Sequence, residues 1–167
     1  LQNSVSIEMT RELELIERAV WLDFYQSAPP SVAEDLGIRF TQDGDAMICI
    51  ATRTDVLALN RVLGPGLSDP VSENRLDRII AEYRKAAVSR FFVTPPPNPQ
   101  PPNLHSLLAE RGIHFYNNWV KLYRGVTSVH LADTDLQIKE IGPEEASAFG
   151  RIFAGCVGWP EPADEWL

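Results

Sequence analysis

The run "NRVLGPGLSDPVSENR", Asn60 to Arg75, places Gly64 and Gly66 between an apolar stretch and the start of an amphipathic one. Strand, glycine loop and helix is an arrangement that can cradle a phosphate, because glycine lets backbone N–H groups approach an anion and a helix N-terminus favours negative charge. The same residues can equally form a plain strand-to-helix turn. Pro65 removes one amide from the middle of the loop, and "LSDP" moves the helix start away from the glycines. Asp69, Glu73 and Asp77 add negative charge where a phosphate would sit. A close like-charge pair costs about 1 kcal/mol even in bulk water.

Other residue types offer less. The three histidines, His105, His114 and His130, form no ligand spacing with one another or with a Cys-x-x-Cys, and structural zinc needs four N or S ligands. No metal is expected. Ser106 beside His105 is no nucleophile pair, because adjacent helical residues point in different directions. Trp119 and Tyr123 share one face of an expected strand, with Tyr116 on the other, which reads as packing. "PPPNPQPP" is expected to be a stiff, extended connection. Cys49 and Cys156 are expected to be two buried thiols of a reducing compartment, hence a cytoplasmic protein.

These residues need elements to hold them. Leu13, Ile16, Val20 and Phe24 predict a helix capped by Thr10, with Glu12, Glu14 and Glu17 facing out and "SAPPS" (27–31) ending it. "GIRFTQDGDAMICIAT" predicts a hairpin turning at Asp43-Gly44, with the continuous apolar run "MICIA" buried on both faces. "DVLALNRVLG" predicts a further strand. Leu76, Ile79, Ile80 and Tyr83 then form the stripe of a helix capped by Ser72 or Asp69. "RFFVTP" is a short strand, "NLHSLLAERG" a short helix, and "FYNNWVKLYRG" (115–125) another strand. After a polar linker, "LQIKEI" predicts a strand and "GPEEASAFGRIFAGC" a helix with Phe149, Phe153 and Cys156 on one face. The fold class is α/β, a mixed sheet flanked by helices.

A chain of 167 residues carries one ordinary core and a fragment more. The net charge of −8 argues against a nucleic-acid partner. No apolar run approaches the roughly 20 residues that span a bilayer, so no membrane partner is expected. Acids outnumber bases seven to two over residues 1–36 and six to two over 137–167, while the centre is nearly neutral. That change of character suggests a boundary near residue 130.

Taken together, "ALNRVLGPGL", "RLDRIIAEYRKAAVSRFFV" and "LHSLLAERGIHFYNNWVKLYRG" resemble, in their order, the second half of a GNAT-type N-acetyltransferase. "LQIKEIGPEEASAFGRIFAG" is similar to the strand and helix that open such a domain. The resemblance implies a tandem protein: residues 1–128 a degenerate GNAT-like domain, 129–135 a linker, and 136–167 the opening of a second, truncated domain. It implies acetyl-CoA as cofactor, a small amine as acceptor, and acyl transfer as chemistry. The family's diphosphate loop maps onto Arg61, Gly64 and Gly66. The departures at Pro65 and "LSDP" make this half a non-catalytic scaffold, with the general base and the intact loop on the other half. An alternative is a stand-alone interaction or small-molecule-binding domain. The apolar face of 136–167 lacks a sheet of its own, so this segment is expected to be disordered or to pack against a second copy, as a homodimer.

Overall fold

The computed structural model describes residues 6–126, 128, 133–160 and 166; His130 lies outside them. The first helix, α1 (Ile7–Gln26), starts ahead of Thr10, because Ser6 caps it by accepting from the Met9 amide at 3.1 Å. The prolines that end it also begin the next element. Pro30 occupies the first turn of α2 (Pro30–Leu36), where its missing N–H costs nothing. Strands β1 (Ile38–Asp43) and β2 (Ala46–Ala51) form the expected hairpin, with Gly44 at φ +60° in the turn. All six residues of β2 are buried.

Of "DVLALNRVLG", only Arg61–Leu63 is strand, β3; Leu57–Leu59 winds into a 3-10 turn. The cause is Asn60, whose buried side chain takes the place of a ladder residue. Its Oδ1 accepts from the Ala51 amide at 2.9 Å, and its Nδ2 donates to the Ala51 and Thr54 carbonyls, each at 3.2 Å. Helix α3 (Glu73–Lys85) buries the expected Leu76, Ile79, Ile80 and Tyr83, and Ser72 caps it. Strand β4 (Phe92–Thr94), helix α4 (Leu104–Ala109) and helix α5 (Ala146–Val157) follow.

The sheet runs β1-β2-β3-β4. The first three strands are antiparallel, and β3 pairs with β4 in parallel. A parallel pair requires a crossover, and α3 provides it. One sheet face packs Met47, Cys49 and Leu63 with Tyr25 of α1 and with Val32 and Leu36 of α2. The opposite face packs Ile48, Ile50 and Val62 with Ile79 and Tyr83 of α3. The Tyr25 hydroxyl donates to the Leu59 carbonyl at 2.8 Å, and the Tyr83 hydroxyl to that of Cys49 at 2.9 Å.

Two expected strands are not formed. Residues 115–125 have no partner strand, since β4 is three residues long and runs into Pro95, Pro96 and Pro97, which offer no N–H. Residues 136–141 also carry no strand, although α5 follows as expected. Trp159 and Trp166 pack into the first core. Trp166 stacks on Phe24 of α1 at 3.9 Å, and its indole N–H donates to the Phe24 carbonyl at 2.8 Å. Cys49 is buried, but Cys156 is exposed on the outer face of α5, so the expected pair of buried thiols is a single one. Among the described residues no helix is long and apolar enough to cross a membrane.

Candidate functional site

The glycine turn lies where the parallel pair β3/β4 meets the crossover to α3. Gly64 (φ +67°) and Gly66 (φ +81°) both adopt the left-handed conformation that glycine takes without penalty. A Cβ on Gly66 would lie 2.5 Å from the Gln100 carbonyl oxygen, so the proline-rich segment packs directly on this turn. The Gln100 amide donates to the Gly66 carbonyl at 2.8 Å, and the Val71 amide donates to the Gln100 carbonyl at 2.9 Å.

Most of the turn's amides already have protein partners. The Gly64 N–H donates to the Thr94 carbonyl at 3.2 Å, and the Leu67 N–H to the Gly64 carbonyl at 3.3 Å. The Asp45 carboxylate accepts from the Ser68 amide and, at 2.6 Å, from the Asp69 amide. Asp45 thus occupies the position, relative to two successive N–H groups, that an external oxyanion would take. Two acids near the start of α3 are engaged as well: Arg111 bonds Glu73, in the first turn, at 3.1 Å and Asp77 at 2.7 Å. The Arg111 hydrogen bond holds the Asp77 carboxyl below its ordinary value.

Arg61, third of the expected residues, points away from the turn. Its side chain lies on the α1 face of the sheet, fully buried. The guanidinium sits between two indoles, 4.6 Å from the Trp21 ring centroid and 4.9 Å from that of Trp119. Cation–π contact offsets part of the cost of burying it, yet Nε, Nη1 and Nη2 all lack a hydrogen-bond partner among the described residues. Desolvation lowers the Arg61 pKa, and the nearby Glu17 opposes that shift.

Around Arg61 the inner stripe of α1 is charged. Glu14 and Glu17, expected to face solvent, face inward and share Lys121, whose Nζ lies 2.7 Å from Glu17 Oε2. Ile16 and Val20 face out instead, at 59% and 61% exposure. The structure therefore keeps Gly64 and Gly66 together in the turn and places the Arg61 side chain in a separate, aromatic-lined layer. The sequence reading missed Asp45, Gln100, Trp21 and Lys121. Each is distant in sequence from the residues it touches, and only the "DGD" of the hairpin, an acid just past a tight turn, hinted at Asp45.

His105 and His114 are exposed, and no group of three or more His, Cys, Asp or Glu residues among the described residues could hold a metal. Tyr116 packs on Phe92 at 5.6 Å, and Tyr123 is half-exposed. No family model, no curated protein and no solved structure matches this chain.

Proposed function

We propose that this chain is the non-catalytic scaffold half of an acyl-CoA-dependent N-acyltransferase that moves an acetyl group to a small amine. Support comes from the order of elements: antiparallel strands, a glycine turn after β3, a crossover helix, and a parallel β4. In such chemistry, oriented N–H groups polarise the thioester carbonyl, and a base or water chain takes the amine proton. In this reading both tasks fall to the complementary half, and this half shapes the acceptor pocket.

The observation that carries the scaffold assignment is the closed glycine turn. Its N–H groups bond Asp45, Thr94 and Gly64, and β3 and β4 stay hydrogen-bonded up to that turn. A diphosphate would have to displace a carboxylate and part the two strands. The test is transfer from acetyl-CoA to a panel of primary amines. No turnover above buffer is expected from this chain; turnover abolished by Gly64→Asp would overturn the assignment. A second reading, a small-molecule-binding domain, draws on the unpartnered Arg61.

A further inference from the structure

A groove of about 1220 Å³ runs along the open edge of β4, between that strand and residues 114–123. The chain carries a net charge of −8, yet the groove wall is basic. Arg84, Arg90, Arg111 and Lys121 line it, and Glu14 is its one acid among the described residues. Glu14 is already held by Lys121, and Arg111 by Glu73 and Asp77. The Arg84 guanidinium makes no hydrogen bond or ion pair among the described residues, although its charge helps to lower the Asp77 pKa, and Arg90 reaches only Asp55, at 4.0 Å with both groups exposed. The Arg84 and Arg90 guanidinium groups on the rim therefore have no close hydrogen-bond partner among the described residues. The turn between them holds Ala87 at φ +57°, a conformation unfavourable for any residue with a Cβ. Backbone held in such a region tends to mark functional rims.

The inner wall leads to a third cation. Trp119 lines the groove and also lies over the Arg61 guanidinium, so one indole touches both. Buried polar groups without partners are rare, and each calls for a cause. All three nitrogens of Arg61 are in that state, and a planar fork of N–H donors matches a carboxylate or phosphate. Trp119 is 53% exposed. It sits on a stretch, 114–123, that makes no backbone–backbone hydrogen bond among the described residues, so turning it aside breaks none. Phe92 and Tyr116, with ring centroids 5.6 Å apart and planes at 36°, supply two aromatic faces on the same groove.

We propose that this groove binds a small organic anion, a flat apolar body bearing one oxyanion. The body lies on Phe92 and Tyr116, and the oxyanion reaches Arg61 when the Trp119 indole swings out. The site is separate from the glycine turn and does not rest on the scaffold reading. The probe is 2-naphthoate, with 2-naphthalenemethanol as its neutral counterpart, each titrated calorimetrically into the full chain. A charge-assisted hydrogen bond is the difference between the two, so naphthoate is expected to bind about tenfold or more tighter. Arg61→Met is expected to bring naphthoate down to the level of the alcohol and leave the alcohol unchanged. Trp119→Ala removes the cover and is expected to keep or tighten naphthoate binding. Equal affinity for the two probes, no naphthoate binding up to about 1 mM, or naphthoate affinity unchanged in Arg61→Met would overturn the proposal. If Arg61→Met fails to fold, Trp119→Ala decides: loss of naphthoate binding overturns the proposal, and retained or tightened binding supports it.

Discussion

Replacing Asp45 with alanine tests whether the glycine turn is held closed by this carboxylate. Asp45 is half-buried and accepts from two successive amides, Ser68 and Asp69, both of which are exposed. Hydrogen bonds to a charged group are worth about 1.5–3 kcal/mol each when shielded. Water can take over both amides here, so the two together are worth about 1–2 kcal/mol. For a domain of this size that corresponds to a fall in Tm of roughly 3–6 °C. Asp45→Asn keeps one neutral acceptor and should lose about half as much. Urea denaturation measures the free energy directly, and an unchanged m-value would show that the folded state is otherwise the same. The alanine variant also frees two N–H groups that an anion can reach. Added sulfate should therefore raise its midpoint more than that of the wild type. A loss within the about 0.5 kcal/mol of an ordinary surface substitution, with no selective sulfate effect, would refute the view that Asp45 closes this turn.

Three further outcomes follow from the same geometry. Burial pushes the Cys49 thiol up to about 12, so a thiol reagent at pH 8 should modify Cys156 alone, and Cys49 only after denaturation; rapid labelling of both in the native protein would contradict that burial. Ala87→Gly should stabilise by about 0.5–1 kcal/mol, because glycine accepts the positive φ with no Cβ clash; a lower Tm would argue against a left-handed Ala87. The Asp77 carboxyl is held below its ordinary 3.8 by Arg111. Its stabilising contribution is therefore complete above that value and lost as the pH falls through the lower folded-state pKa. Asp77→Asn should flatten the acid limb of a stability–pH profile below about pH 4 and leave its shape at neutral pH unchanged; an identical acid limb in both proteins would contradict the pairing.

Much of the scaffold was legible because it depends on local rules. The α3 stripe of Leu76, Ile79, Ile80 and Tyr83 has a period of 3.6, and its Ser72 cap is a short-range feature. The Gly44 hairpin and the fully buried β2 follow from a turn residue and a continuous apolar run. The inward face of α1 was not legible. Its apolar periodicity favours Ile16 and Val20, but Lys121 and Arg61 turn Glu14 and Glu17 inward, and both arrive from more than forty residues away. Asn60 cuts β3 short for a similar reason, since its hydrogen bonds reach back to Ala51. Residues 115–125 have a strand's composition, but β4 offers only three residues before prolines that have no N–H to extend the pairing. At the glycine turn, Pro65 and the neighbouring acids hinted at a closed loop. That Asp45 and Gln100 close it depends on tertiary contacts that no spacing encodes.

The central claim is that the protein's own groups engage most of the N–H groups from Gly64 to Asp69 and leave no seat for a diphosphate. Calorimetric titration of the intact chain with acetyl-CoA, paired with its thermal midpoint, tests this most directly. At millimolar ligand there should be no binding heat and no shift in midpoint. Saturable binding that disappears in Gly64→Asp would contradict it.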